Sequence, residues 1–145
     1  MAAMDWKEPG LTGTQTAEPS LKLRRVWTAI GIGLVALVVA LSLTPRPIDF
    51  GVEEGDKLGH LLAYFTLMFW HAQLHPDRHA RLALAVAFVL LGVGIEIVQG
   101  LTGYRTGDVV DALVNTFGVA VGWAAAPPRT RHALAWAERL VYGKG

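Results

Sequence analysis

Four stretches of apolar residues, each of 17 or 18 residues, follow one another along the chain at residues 26–43, 58–74, 82–98 and 109–126. A helix of that length rises about 26 Å, which covers most of a hydrocarbon core about 30 Å thick. A soluble helical bundle would show polar helix faces, yet the first stretch has only Thr28 and Ser42 as polar side chains. The pattern therefore predicts an all-α fold, a four-helix transmembrane bundle.

The segments outside the apolar stretches differ in composition from them. Residues 1–21 are rich in Gly, Pro, Thr and Glu without apolar periodicity, so they are predicted to form a disordered cytoplasmic tail. Residues 22–128 form the predicted membrane domain. Residues 129–145 intersperse Leu134, Trp136 and Leu140 with arginines, which predicts a short cytoplasmic amphipathic helix at the C-terminus. We expect this helix to act as an interfacial anchor, with partner binding as the alternative.

The first apolar stretch also has features of a signal peptide. Lys22, Arg24 and Arg25 precede it, and it ends in a small-x-small pattern at residues 40–42. However, the apolar run exceeds the usual length of a signal-peptide core, and Pro45 follows as a plausible end to a spanning helix. A retained spanning helix is therefore favoured.

Basic residues are distributed unequally between the two sides of the predicted bundle. Ten lie on the side of the two tails and the second connection, and three lie in the first and third connections. The first group comprises Lys7, Lys22, Arg24, Arg25, Arg78, Arg81, Arg129, Arg131, Arg139 and Lys144, and the second comprises Arg46, Lys57 and Arg105. By the positive-inside rule, this predicts a multi-pass protein of the cell inner (plasma) membrane with both termini cytoplasmic.

The composition of the 145-residue chain argues against some kinds of function. The chain is 52% hydrophobic, carries a net charge of +1 and has no cysteine, which argues against nucleic-acid binding and removes thiolate chemistry. No cofactor and no metal site are predicted. His71, His75 and His79 are spaced by four residues, but Pro76 interrupts them and ligation is disfavoured.

Polar side chains form three stripes within or beside the apolar stretches. The stripes are Lys57, His60 and Tyr64; Gly92, Glu96 and Gln99; and Asp108, Asp111, Asn115, Gly118 and Gly122. Their spacing places each stripe on one helix face, and the predicted topology places the polar tips of all three in the outer leaflet. Because polar groups are costly in hydrocarbon, we expect one shared cluster, with the two glycines allowing close helix packing below it.

These residues resemble a known family. The pattern of Asp56-Lys57-x-x-His60-x-x-x-Tyr64, Glu96-x-x-Gln99 and Arg105-x-x-Asp108-x-x-Asp111-x-x-x-Asn115 is similar to that of the VanZ-like membrane proteins. The resemblance covers residues 26 to about 126. It implies a small bacterial membrane protein of the cell envelope, from a family whose founding member is associated with low-level resistance to the glycopeptide antibiotic teicoplanin.

Three functional hypotheses follow. In the first, the outer-leaflet cluster binds or acts on a lipid-linked or cell-wall-related molecule. His60 and Glu96 are then the catalytic proton donor and acceptor, and the ligand-binding residues are Lys57, Gln99, Arg105, Asp108, Asp111 and Asn115. In the second, the chain is a structural or interaction protein whose polar cluster only holds the helices together. A small transporter is the third class, disfavoured because the polar groups do not continue to the cytoplasmic side. The expected partners are membrane lipids, and a homo-oligomer remains open.

Overall fold

The computed structural model describes residues 21–45, 55–103, 107–127 and 132–143, and within these ranges the chain is entirely α-helical. The helices are α1 (Arg24–Ser42), α2 (Gly55–Leu74), α3 (Arg78–Thr102), α4 (Val109–Ala125) and α5 (Ala133–Tyr142). Two of these are long and apolar enough to cross a membrane, α1 and the Arg78–Leu101 part of α3. The all-α prediction is confirmed. Residues 1–20 of the predicted tail and Arg105 of the predicted site lie outside the described ranges.

Aspartate caps and a glycine set the bounds of the third and fourth helices. Asp77 accepts a hydrogen bond from Ala80 N at 2.7 Å and caps α3, and Asp108 accepts one from Val110 N at 2.8 Å and caps α4. Gly103, with φ 73°, follows the last residue of α3 in the left-handed conformation. Helix α3 thus begins before the predicted apolar stretch at residues 82–98 and ends after it. Arg81, which the sequence placed in a connection, is therefore a helical residue.

Hydrogen bonds between helix ends establish an up-and-down arrangement. Gln99 Nε2 of α3 donates to Ser42 O of α1, and we call this end of the bundle the polar end. At the opposite end, Arg24 donates to Leu74 O. Arg81 donates to the carbonyl of Pro127 there. We call this end the basic end. Helices α1 and α3 thus run toward the polar end, and α2 and α4 run away from it.

The closest helix packing in the bundle is between the parallel helices α2 and α4. Gly118 lies so near α2 that a Cβ added to it would be 2.7 Å from Leu61 O, and a Cβ on Gly122 would be 2.6 Å from Phe65 O. Only glycine permits so close an approach of the two helix backbones, because any side chain at these positions would collide with backbone atoms of α2. The predicted small-residue face therefore packs on α2.

The bundle interior is lined mainly by α2, while all four long helices have apolar outer faces. Tyr64, Leu67 and Met68 of α2 are almost completely buried, together with Val119 of α4. Large side chains that remain exposed occur on each helix, among them Ile32, Leu37, Leu58, Leu62, Leu90, Ile97, Leu113 and Phe117. Such continuous apolar exposure is suited to lipid rather than to water.

Helix α5 is joined to the start of α1 through Glu138 at the basic end. The Glu138 carboxylate accepts hydrogen bonds from Lys22 N at 2.8 Å, Leu23 N at 2.9 Å and Trp27 Nε1 at 2.7 Å. Burial by itself would raise the pKa of Glu138, but these bonds and the Lys22 charge together hold it below its ordinary value. Gln73 of α2 adds a further contact by accepting from Leu134 N at 3.0 Å.

Candidate functional site

His60 is the central side chain of a polar cluster at the polar end. It extends from the second turn of α2 toward α4, and its Nδ1 lies 2.9 Å from Asn115 Oδ1. Because an amide oxygen can only accept, His60 Nδ1 carries the hydrogen in this contact and Nε2 keeps its lone pair when the ring is neutral. Asn115 is only 1% exposed, so this bond fixes the imidazole within the bundle.

Two carboxylates flank the His60 ring. Glu96 Oε1 of α3 lies 3.8 Å from His60 Nδ1, and Asp111 Oδ2 of α4 lies 3.9 Å from His60 Nε2. Glu96 and Asp111 are 6% and 7% exposed, so both belong to the interior rather than to the surface. One donor atom from each of the three residues lies within 4.8 Å of the other two. Three helices thus bring one imidazole and two carboxylates together.

Three buried polar atoms beside His60 have no hydrogen-bond partner within the described part of the chain. They are the Tyr64 hydroxyl, Asp111 Oδ1 and Asn115 Nδ2. Gly92 of α3 leaves room for the Asn115 and Tyr64 side chains, because a Cβ there would lie 3.2 Å from Asn115 Nδ2 and 3.3 Å from Tyr64 Cζ. Buried polar groups are almost always paired in native proteins. Three such groups close together indicate a binding site for a ligand, an ion or water.

The residues that follow the α3–α4 connection pack against Glu96. Asp108 N donates to Glu96 Oε2 at 3.1 Å, while the Asp108 side chain caps α4. Gly107 lies so close to the Glu96 carbonyl that a side chain there would collide with it. Asp108 therefore contributes through its backbone, and its carboxylate is committed to the helix start.

The remaining predicted site residues occupy different positions. Gln99 is 2% exposed and donates to Ser42 O at 2.7 Å, so it ties α3 to α1 at the polar end. Lys57 is half-buried, and its charge is close enough to interact with the Asp111 carboxylate. The structure thus brings His60, Glu96, Asp111 and Asn115 together, with Lys57 nearby.

The sequence pattern of the VanZ/LLP1 family matches residues 12–130, which is most of the chain. The chain belongs to the VanZ/LLP1 family. The predicted resemblance is therefore confirmed, and the residues that carried it include those that meet around His60.

A curated relative of this VanZ/LLP1 protein is an uncharacterised protein of Schizosaccharomyces pombe. It is 30% identical over 102 residues, which cover 68% of this chain and 61% of the relative. The chain thus spans less than two thirds of that protein's length. No solved structure matches the chain.

In this family member the cluster offers two kinds of chemistry. A histidine between two buried carboxylates can pass a proton to or from a bound molecule. The same three groups are also ligands that metal ions accept. By contrast, His71 and His75 each donate Nδ1 to the carbonyl four residues earlier, and His79 lies exposed in the first turn of α3. These three histidines therefore do not form one metal-binding face of a helix.

Tyr64 is the residue that the site prediction omitted. The sequence pattern places it on the polar face of α2 with Lys57 and His60, but no role in the site was predicted for it. The structure makes it 1% exposed, with its hydroxyl beside the cluster and no hydrogen-bond partner among the described residues. Its spacing of four residues from His60 was the available signal.

Proposed function

We propose that this protein binds, or acts on, a lipid-linked or cell-wall-related molecule in the outer leaflet of the inner membrane. The observation that carries the proposal is the meeting of His60, Glu96 and Asp111 around buried polar atoms that have no hydrogen-bond partner among the residues the structure describes. Ionisable groups inside a membrane protein are costly and usually serve a function. In this proposal His60 and Glu96 exchange a proton with the bound molecule.

The proposal includes four membrane crossings. Helix α2 is not one of the two helices recognised by length and hydropathy, but its His71 and Gln73 side chains are buried and His60 is half-buried, while Leu58 and Leu62 are exposed. Helix α4, with 17 residues, rises about 26 Å and reaches across most of the hydrocarbon core. Four crossings with the basic end in the cytoplasm leave the polar cluster in the outer leaflet, and α5 on the cytoplasmic surface.

Cationic side chains would hold an anionic headgroup at this site. Lys57, within electrostatic range of Asp111, is the described residue that supports this role. Arg105 has the same role in the proposal on the basis of the sequence alone. The resemblance to VanZ-like proteins points to glycopeptide resistance as the associated phenotype, and teicoplanin is accordingly the antibiotic to test.

A structural role for the cluster is the second candidate, and the His60–Asn115 bond favours it. This bond is 2.9 Å long and joins α2 directly to α4. An interhelical bond whose only role is to hold helices together would do the same. In that case any loss of activity on substitution would follow from loss of folded protein.

Growth in the presence of teicoplanin, together with membrane abundance, separates the two candidates. Cells lacking the protein are complemented with the wild type, Glu96→Gln, His60→Gln or the control Asp56→Asn, in which an exposed carboxylate in the first turn of α2 is removed. We expect the first two variants to reach normal abundance but to lose resistance, and Asp56→Asn to retain it. Resistance retained by both Glu96→Gln and His60→Gln would refute the proposed site. A loss proportional to abundance would support the structural role.

A further inference from the structure

We infer that His60, Glu96 and Asp111 form a binding site for one divalent metal ion, Zn²⁺ or Mn²⁺. The donor set consists of one imidazole and two carboxylates from three different helices, with one donor atom of each within 4.8 Å of the others. Imidazole and carboxylate are both ligands for zinc, and carboxylate also suits manganese. The inference rests on the proposed function only for the placement of the cluster in the outer leaflet.

The distances are close to those that an ion requires. Ligands about 2.0 to 2.2 Å from a metal ion lie roughly 3 to 4 Å from one another. One donor atom of each residue lies within 4.8 Å of the other two, and the separation of 3.9 Å between His60 Nε2 and Asp111 Oδ2 already falls in that range. The Glu96 carboxylate lies 3.8 Å from the other ring nitrogen of His60, and a side-chain rotation toward Nε2 would complete the site.

Asn115 supplies the orienting contact that metal-binding histidines usually have. A ligating histidine generally donates its other ring N–H to an oxygen, which fixes the tautomer and the ring orientation. Here Asn115 Oδ1 accepts from His60 Nδ1, and the free lone pair is on Nε2, on the side of Asp111 Oδ2. The histidine is thus held with a metal-binding nitrogen toward a carboxylate.

The unpaired polar side chains provide a second, independent indication of a ligand. The Tyr64 hydroxyl and Asn115 Nδ2 belong to side chains that are 1% exposed, and both have no partner among the described residues. Interhelical bonding alone gives no reason for them to remain unpaired. Three protein ligands leave a position on the ion for water or an anionic oxygen, which could pair with these groups. A phosphate of a lipid-linked molecule has that chemistry.

Metal content of the purified chain tests the site directly. The full chain in detergent is stripped with a chelator, dialysed against Zn²⁺ or Mn²⁺, and its bound metal is measured by mass spectrometry. We expect about one ion per wild-type chain, loss of binding in Asp111→Asn, and affinity about 10- to 100-fold weaker in Asn115→Ala. The control Asp56→Asn removes an exposed carboxylate whose charge acts on Asp111 but which is not in the donor set, and this variant should still bind about one ion per chain.

A spectroscopic measurement identifies the histidine. Electron spin echo spectra of the Mn²⁺-loaded chain should contain a nitrogen coupling that disappears in His60→Gln. The inference is overturned if the wild-type protein binds neither metal at about one ion per chain. This outcome holds even if the variants fail to fold. Equal binding by Asp111→Asn and Asp56→Asn overturns it as well.

The outcome is independent of the growth experiment. Metal bound by the wild type, combined with full resistance in both Glu96→Gln and His60→Gln cells, would reject the proposed function while supporting the metal site. Lost resistance in Glu96→Gln without any metal in the wild type would reject the metal site. In that case the carboxylates would act through protons alone.

Discussion

His60 Nδ1 donates to Asn115 Oδ1 at 2.9 Å and thereby joins α2 to α4 at a separation of 55 residues in sequence. The same bond both holds two helices together and orients the imidazole between Glu96 and Asp111. The pair would therefore serve both the structural role and the proposed functional role, and the energy of its hydrogen bond has to be measured separately from activity.

A double-mutant cycle between His60 and Asn115 measures that energy. We expect a coupling free energy of about 0.6 kcal/mol and at most about 1.7 kcal/mol, the mean and the maximum found for interhelical hydrogen bonds in a membrane protein. The measurement is reversible unfolding of detergent-solubilised His60→Leu, Asn115→Leu and the double variant. Each substitution changes the free energy of unfolding. If the changes caused by the two single substitutions add up to the change in the double variant, the contact does not stabilise the bundle.

Substitution of Gly122 tests the close packing of α2 and α4. Gly122→Ala should destabilise the protein by about 1 to 3 kcal/mol, because the new Cβ meets backbone and cannot be accommodated by a side-chain rotation. The nearest atom is Phe65 O at 2.6 Å. Gly33→Ala is the matched control, since a Cβ there meets nothing within 4 Å. In that variant, replacement of a helical glycine should be neutral or stabilising. Equal thermal stability of the two variants would contradict the packing described.

Acidification should release α5 from α1. The pKa of Glu138 is below its ordinary value in the folded chain, so its stabilising contribution is fully present above that ordinary value. The contribution is lost as the pH falls through the folded-state pKa, where the carboxylate gains a proton. Hydrogen exchange of α5 should be slower in the wild type than in Glu138→Gln near pH 7, and the difference should shrink as the pH falls below the ordinary titration range of a glutamate. A constant difference across this range would show that the charge of Glu138 is unimportant.

Cysteine labelling tests the orientation in the membrane. The chain has no cysteine, so single cysteines can be introduced without a background signal. In intact cells, a membrane-impermeant maleimide should label Asp56→Cys at the polar end and not His79→Cys at the basic end; both positions are exposed. Permeabilised cells should show labelling at both, which controls for reactivity. The opposite pattern in intact cells would invert the topology and remove the cluster from the outer leaflet.

Hydrophobic pattern alone predicted the helices well, because helix formation and burial of apolar residues are local properties of a segment. The predicted stretches at residues 26–43 and 109–126 agree closely with α1 and α4. The starts of α2 and α3 were less predictable. Both helices include charged residues such as Lys57 and Arg81, which are stabilised there by interactions with other segments. Arg81, for example, donates to His75 O at 2.6 Å, within the turn that precedes α3.

The role of Asp108 also depended on contacts that the sequence does not specify. From the pattern it could serve as a ligand residue as well as Asp111 could, since both lie at the start of α4. In the folded chain Asp108 caps the helix while Asp111 faces His60. One turn of helix separates these outcomes, and the neighbouring helix determines them.

The sequence by itself determined the helical class, the family and the concentration of polar residues near particular helix ends, since these follow from periodicity, composition and spacing. Tertiary structure decided which polar groups meet. The separation of His60 from Asn115, the lack of a partner for the Tyr64 hydroxyl within the described ranges and the close approach at Gly122 all depend on helix rotation and crossing. Those quantities result from packing among segments far apart in sequence, and so no single segment encodes them.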